Sequence, residues 1–283
     1  MTIREGRDQI DTMPTPEQLQ QARWFELAFE WGGLHRASFF GDRDRVLYLL
    51  AAGEDAEYRA LDQWRPIDVA ARNGDLVIVR EFVNVGVIPD VHTLLAAVGG
   101  GSVFVTNEIL NAGVPLEAAY PEPRGETALM TAAREGHTDL IRHLARLGAA
   151  IDRTESFGSS AVHYAASGGH GDAVRALVTA GANVDLADKD GRRPIQSALK
   201  PGRDAAARAL IEGGASMPDV RPTSLIHTLV QLGDLALLQC AFDRWSLADH
   251  VTKKTVRRAR KGADGTSDIV DFLHHCRSRS SSR

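Results

Sequence analysis

The amino-acid sequence predicts an all-α fold, an α-solenoid of stacked helix-turn-helix units that are joined by short β-hairpin loops. The first observation behind this prediction is a glycine followed twelve residues later by a second glycine, at Gly41/Gly53, Gly74/Gly86, Gly101/Gly113, Gly136/Gly148, Gly169/Gly181 and Gly202/Gly214. The second is an aliphatic residue seven positions before each first glycine, as in Leu34, Leu129 and Ile195. Self-similarity at such a period is typical of repeats that bury their apolar faces against copies of themselves.

The bulk composition is that of an ordinary globular protein. Of the 283 residues, 43% are hydrophobic and 25% are charged, which leaves ample apolar material for a core. No apolar run approaches the ~18 residues of a membrane span, and the first residues are polar. We therefore expect a cytoplasmic protein without a secretory leader. Two cysteines, Cys240 and Cys276, do not make a disulfide framework.

Taken in chain order, the first predicted element is a capping helix. Residues 1–14 are expected to be flexible, and Thr15, Pro16 and Gln18 have the spacing of a helix start, which predicts an N-terminal capping helix over 15–30. Its apolar side would cover the open end of the first repeat.

About seven repeats are expected over 31–245, each made of two short helices. In the clearest unit, LMTAAREG and TDLIRHLARLGA have apolar residues at helical spacing, and the two predicted helices end at Gly136 and Gly148. Pro66 and Pro194 stand at the first helical position of their units, where a proline loses no hydrogen bond. The spacing from Gly86 to Gly113 is only 27 residues, which predicts a shortened hairpin loop between the second and third units.

The C-terminal region is predicted to be a divergent capping repeat over 246–276, followed by a disordered tail over 277–283, RSRSSSR. From Thr252 onward there are nine Lys/Arg against three Asp/Glu, which leaves 24 against 34 in the preceding residues. The excess lies on one predicted helix, at Lys253, Lys254, Arg257, Arg258, Arg260 and Lys261. This basic patch is a solvated outer face, a nuclear-localisation signal or a dock for an acidic partner. Because aromatic residues are not interleaved with the cations, nucleic-acid binding is disfavoured.

Residues 125–152, GETALMTAAREGHTDLIRHLARLGAAID, resemble the ankyrin repeat, whose pattern is G-x-T-P-L-H-x-A-A-x-x-G-H, an apolar helix, then L-L-x-x-G-A-x-x-N/D. Residues 158–185, 191–215 and 63–86 match this pattern as well, whereas the units at 31–53, 91–113 and 222–245 are degenerate. The resemblance implies structural roles for the histidines that fall in the pattern, His35, His137, His163, His170 and His227.

The resemblance also implies a concave surface, formed by hairpin tips and the exposed face of the first helices, on which members of the family bind other proteins. The residues in those positions are Trp31, Phe39, Phe40, Trp64, Arg72, Asn73, Arg124, Glu126, Arg134, Glu135, Phe157, Ser159, Lys189 and Arg192. We hypothesise that five of them anchor a partner, because Trp and Arg are enriched at interface hot spots: Trp64, Arg124, Arg134, Phe157 and Arg192. The alternative is that Trp64 and Phe157 only cover a neighbouring hairpin.

The sequence contains no HExxH, P-loop, GxGxxG or GxSxG spacing, and we predict neither a metal nor a cofactor. The predicted function is a non-enzymatic protein-binding module, an adaptor, inhibitor or effector that is monomeric alone. One alternative is a nuclear regulator imported through the basic helix. The other is an enzyme or substrate-recruiting subunit whose chemistry lies in the divergent C-terminal region.

Overall fold

The computed structural model describes residues 32–60, 63–120, 125–262 and 267–280, with the backbone alone at 258, 260–262, 279 and 280. The chain divides into two compact units, Met1–Ala118 and Ala119–Arg283. The capping helix predicted over 15–30 lies outside the described residues.

In the first unit the described residues form three helix pairs. These are α1 (Gly33–Phe40) with α2 (Arg43–Ala51), α3 (Pro66–Arg72) with α4 (Leu76–Asn84), and α5 (Val91–Gly99) with α6 (Val103–Asn111). The first helix of each pair packs on the first helix of the next, and the second helices stack likewise. Leu34, Ile67 and Leu94 are fully buried between the layers, so the aliphatic residue seven positions before each first glycine forms the core.

The second unit continues the same pattern over its described residues. Its elements are α7 (Ala128–Glu135), α8 (Thr138–Arg146), α9 (Ala161–Gly168), α10 (Gly171–Thr179), α11 (Pro194–Ala198), α12 (Asp204–Glu212), α13 (Pro222–Leu232), α14 (Leu235–Trp245), a 3-10 turn (Leu247–His250), α15 (Lys253–Gly262) and α16 (Ser267–Ser280). The described residues contain two isolated β-bridges, Ala119 with Thr127 and Thr154 with Ser160, and no strand. The predicted all-α architecture of stacked helix pairs is confirmed.

Helix ends follow the chemistry that the sequence predicted. Gly136 ends α7 with a φ of 76°, and Gly148 follows α8 with a φ of 92°, both in the left-handed region that side chains with a Cβ resist. In the unit at 222–245, Trp245 stands where the second glycine would be, and the next residue, Ser246, adopts the left-handed conformation with a φ of 52°. Pro66 and Pro194 begin α3 and α11, as predicted.

The start of α3 differs from the starts of its neighbours because it contains a buried ion pair. Arg65 and Asp68 are 3% and 1% exposed, and Asp68 accepts hydrogen bonds from the Arg65 backbone N–H (2.9 Å) and from Thr93 Oγ1 of the next pair (2.6 Å). Asp90 also lies 3.0 Å from the Arg65 guanidinium. Burial opposes ionisation of Asp90, but the charge of Arg65 and the hydrogen bonds from Thr93 and Arg59 together outweigh it and hold the pKa of Asp90 below its usual value.

The last helix corrects the expected start of disorder. α16 extends to Ser280, four residues into the segment that the composition predicted to be disordered from residue 277. Arg277 remains partly buried, and Ser278 Oγ donates a hydrogen bond to the His275 carbonyl (2.8 Å), so local contacts continue the helix. No helix in the described part of the chain is long and apolar enough to cross a membrane.

Candidate functional site

The loop between α8 and α9 is a narrow hairpin, here called finger 1 (residues 154–160), whose backbone is fixed by one buried carboxylate. Glu155 is 6% exposed, and its two oxygens accept hydrogen bonds from the backbone N–H groups of Phe157 (2.8 Å) and Ser159 (2.9 Å). The Glu155 N–H in turn donates to the Ser159 carbonyl (3.0 Å). These three bonds hold the finger in one conformation.

Finger 1 presents a large apolar side chain to solvent. Phe157 is 64% exposed at its tip, although its backbone carbonyl accepts a hydrogen bond from the Lys189 N–H of the following loop (2.9 Å). The ring is therefore exposed to solvent, while the N–H and the carbonyl of the same residue are both held by hydrogen bonds. An exposed aromatic residue on a rigid loop loses little conformational freedom when a partner covers it.

The following loop, here called finger 2 (residues 187–193), is built in the same way around Asp188. Its carboxylate accepts from the backbone N–H groups of Asp190 (2.9 Å) and Arg192 (2.8 Å), and from Arg192 Nε (3.0 Å). Burial would raise the pKa of Asp188, but the bonds from Arg192 outweigh it and lower that pKa. The Arg192 side chain stays 61% exposed, oriented by its bonds to Asp188 and Asp190.

The sequence pattern did not single out Glu155 and Asp188, which shape fingers 1 and 2. They stand one repeat apart, at equivalent positions, so a recurring acidic residue near the hairpin tip was the available signal. Four of the predicted partner-binding residues lie on these two fingers: Phe157, Ser159, Lys189 and Arg192. Lys189 is exposed and Ser159 is half-buried.

Glu126 does not lie on an exposed surface as the repeat pattern suggested. It is 3% exposed, and its Oε1 accepts hydrogen bonds from Thr131 Oγ1 (2.9 Å) and Arg134 Nε (3.2 Å). The Glu126 side chain turns inward because α7 supplies these two donors. Arg134 and Glu135 remain partly exposed, at 26% and 25% of their side chains, with Arg134 held by Glu126 and near Glu135.

The candidates in the first unit are mostly occupied by contacts within the fold. Phe39 is 4% exposed, contrary to the expectation that it faces a partner, because two successive residues of α1 point about 100° apart and only Phe40 faces water, at 74% exposure. Trp64 is half-buried and its carbonyl accepts a hydrogen bond from His35 Nε2 (2.8 Å). Asn73 is exposed but its Nδ2 donates to the Phe39 carbonyl (2.8 Å).

The remaining predicted residues divide into three groups. Arg72 is half-buried, and its guanidinium lies against Gly99. Trp31 and Arg124 lie outside the described residues. The basic patch lies on α15. Lys253, Lys254 and Arg257 are exposed there, and the structure describes only the backbone of Arg258, Arg260 and Lys261.

A serine and a histidine lie close together, but in a structural arrangement. Ser160 Oγ is 3.1 Å from His163 Nδ1, and His163 Nε2 donates to the Arg192 carbonyl (3.1 Å). Ser160 is fully buried and His163 is 5% exposed, so the serine oxygen has no access to a substrate. Burial is the main cause that lowers the pKa of His163. The pair caps α9 and joins it to the next unit.

Cysteine chemistry is also disfavoured at Cys240, in the repeat at 222–245. Cys240 lies partly buried on α14, and burial, assisted by the charge of Glu212, raises the pKa of its thiol. A raised pKa keeps the sulfur protonated at neutral pH, and the thiolate is the nucleophilic form.

Comparison with known families finds a match to a family model described as ankyrin repeats (3 copies), in three overlapping stretches over residues 34–155, 94–188 and 129–221. Together these stretches span well over half of the chain. A search of curated proteins gives no significant match.

Many solved structures are similar to this chain, among them the following two. The structure of a predatory endopeptidase from Bdellovibrio bacteriovorus in complex with an immunity protein contains a chain with a TM-score of 0.53 and 22% identity, over 65% of this chain and 98% of that chain. An ankyrin repeat domain from Acinetobacter baumannii AYE has a TM-score of 0.50 and 26% identity over the same shares of the two chains.

Proposed function

This chain belongs to the ankyrin repeat family, and we propose that it is a non-enzymatic module that binds a partner protein through fingers 1 and 2 of the second unit. Domains of this family generally bind proteins. We assign Phe157 and Arg192 as the residues that anchor the partner, with Lys189 and Ser159 beside them. Arg134 and Glu135 extend the proposed surface along the end of α7.

The observation that carries this proposal is the exposure of Phe157 on a backbone that is already fixed. The ring is 64% exposed, yet the backbone N–H of Phe157 donates to Glu155 and its carbonyl accepts from Lys189. Burying a phenylalanine side chain releases about 1.5–3 kcal/mol. Because the finger is preordered, little of this gain is offset by loss of backbone entropy on binding.

The charges around Phe157 indicate what the partner should offer. Lys189 and Asp190 are exposed beside Arg192, so the rim carries both signs and no dominant charge. A partner that fits would place an apolar pocket over the ring and a hydrogen-bond acceptor at the exposed part of the Arg192 guanidinium, whose Nε and Nη2 already bind Asp188 and Asp190.

A non-enzymatic role is supported by the inaccessible Ser160 and by the protonated Cys240 thiol. The rival reading, an enzyme or substrate-recruiting subunit with chemistry in the C-terminal region, has no comparable observation in its favour. If the captured partner is an enzyme, measuring its activity with and without this chain separates an inhibitor from an adaptor.

Affinity capture from an extract of the native cell, followed by mass spectrometry, tests the proposal. The bait proteins are the wild type, F157A and F104A; Phe104 is a matched control because it is 75% exposed on α6, a second helix of the first unit. We expect a partner that the wild type and F104A retain equally and that F157A binds roughly 30-fold more weakly, since a hot-spot residue contributes about 2 kcal/mol.

A second pair of variants tests the charged anchor. R192A should weaken capture of the same partner, whereas R175A, at an arginine on α10 whose side chain is 50% exposed against 61% for Arg192, should not. Equal capture by F157A, R192A and the wild type would refute the proposal.

We place the protein in the cytoplasm, with the nucleus as the second candidate because Lys253, Lys254 and Arg257 are exposed on α15. Imaging a fluorescent fusion of the wild type and of K253Q/K254Q/R257Q distinguishes the two. Nuclear signal that disappears in the variant supports import through this helix, and cytoplasmic signal in both proteins supports the first location.

A further inference from the structure

Helix α15 has the densest positive charge in the chain. Six of its ten residues, KKTVRRARKG, are lysine or arginine. Lys253, Lys254 and Arg257 are exposed, while Thr255, Val256 and Ala259 are buried. The helix packs against α13 and α16. It is therefore a fixed part of the second unit with a cationic face toward solvent.

These exposed cations differ from five arginines on the second helices of the stacked pairs, each of which forms an ion pair with a carboxylate of the same fold. The pairs on the second helices are Arg43–Glu81, Arg80–Glu108, Arg142–Asp139, Arg175–Asp172 and Arg208–Asp234. Within the described part of the chain, Lys253, Lys254 and Arg257 form no ion pair or hydrogen bond through their side chains. Their charge is available to an external partner.

The position of the two lysines also runs against local electrostatics. The N-terminus of a helix carries a partial positive charge and favours acidic residues. Helices α2, α8, α10, α12 and α16 follow this rule with Asp44, Asp139, Asp172, Asp204 and Asp268 in the first turn. In α15 the first turn contains Lys253 and Lys254 instead, and the helix is capped only by the neutral Thr252 and Thr255. Thus the helix dipole adds to the charge of these side chains.

We propose that the exposed face of α15 binds an acidic segment of a partner protein, at a surface separate from the two fingers. The helix is about 15 Å long, at 1.5 Å per residue, which matches a short acidic peptide. Exposed Asp249, Asp268 and Asp271 flank the helix in the chain and would repel a long polyanion such as nucleic acid. No Phe, Trp or Tyr occurs between 246 and 271, so the helix lacks the stacking surface that single-stranded nucleic acid uses.

Fluorescence anisotropy with the full chain tests this proposal. The probe is a labelled peptide of about twelve residues that alternates Glu and Ser, and the competitor probe is a single-stranded DNA of equal charge. The variants are K253Q/K254Q/R257Q and, as a control with the same loss of charge, R142Q/R146Q/R175Q on α8 and α10. Circular dichroism verifies that both variants are folded.

We expect the acidic peptide to bind the wild type and the control equally, to bind K253Q/K254Q/R257Q at least about tenfold more weakly, and to dissociate as salt is raised. Three results would overturn the proposal: no binding of the peptide to the wild type, equal loss in the control variant, or tighter binding of the DNA than of the peptide. The peptide experiment is independent of the capture experiment on fingers 1 and 2, because F157A retains α15 and should bind the acidic peptide as the wild type does.

Discussion

At the scale of single residues, Gly100 shows how closely the helix layers of the first unit approach. A Cβ at this position would lie 1.9 Å from the backbone carbonyl oxygen of Arg72, although the φ of Gly100 is an ordinary −79°. The requirement for glycine is thus steric, and overpacking of this kind typically costs about 1–3 kcal/mol.

Substitution of Gly100 by alanine should therefore lower the free energy of unfolding by about 2 kcal/mol, measured by urea denaturation followed by circular dichroism. Gly32→Ala is the matched control, because a Cβ there would meet no atom closer than 3.8 Å. Because Gly32 is the N-cap of α1, where alanine is less favourable than glycine, the control should lower stability by about 1 kcal/mol or less. Equal effects of the two substitutions would show that the layers are not in the close contact described.

His163 should make stability depend on pH. Burial holds its pKa below the usual value, against the opposing effect of its bond to the Arg192 carbonyl. The unfolded chain then takes up a proton at higher pH than the folded chain does. Stability is complete above the unfolded pKa, about 6.5, and is lost as the pH falls from there toward the folded pKa.

The substitution H163Q should reduce the loss of stability between pH 7 and pH 5, by up to about 1.4 kcal/mol per pH unit. Glutamine fits this position, since Gln196 occupies the equivalent one in the next unit and accepts from the Arg193 N–H (2.7 Å). Urea denaturation at several pH values measures the effect, with H250Q at an exposed histidine as the control. An unchanged pH profile in H163Q would contradict the assigned cause.

At the scale of elements, the ion pair at the start of α3 should be more costly to break than to remove. D68N removes the one carboxylate that is buried with Arg65 and leaves only the more exposed Glu57 and Asp90 beside it, and loss of one partner of a buried pair costs about 3 kcal/mol or more. R65S/D68H reproduces Ser160 and His163 of α9 and removes both charges together. We expect the double variant to be more stable than D68N in thermal or urea unfolding. The reverse order would show that Glu57 and Asp90 are enough to balance the charge of Arg65.

The elements were predictable from sequence because their signals are local. Gly136 and Gly148 end helices by backbone conformation, and Pro66 starts one because it lacks an N–H, so neither depends on distant contacts. The direction of a side chain was not predictable in this way, because it depends on which other side chains are within reach once the helices have packed. Glu126 and Phe157 occupy similar loop positions, but Glu126 turns inward toward Thr131 and Arg134, while Phe157 meets no such surface. The Arg65–Asp68 pair was hidden for the same reason.

At the scale of the whole molecule, each stacked pair contacts only its neighbours, so stability should be greatest where neighbours are present on both sides and packing is closest. The pair α9/α10 meets both conditions in the second unit: Val162, Val174 and Leu177 are fully buried, and α7/α8 and α11/α12 pack on either side. We expect the slowest hydrogen exchange there, within 125–215, and faster exchange in the first unit. Uniform protection, or slowest exchange near Gly101, would contradict this order.

The central claim, that a partner protein covers fingers 1 and 2, is tested most directly by hydrogen–deuterium exchange of the chain with and without the captured partner. We expect added protection in peptides that contain 154–160 and 187–193, and no change in α8 and α10, the second helices of their pairs. Protection confined to α8 and α10, or no change in either finger at saturating partner, would contradict the central claim.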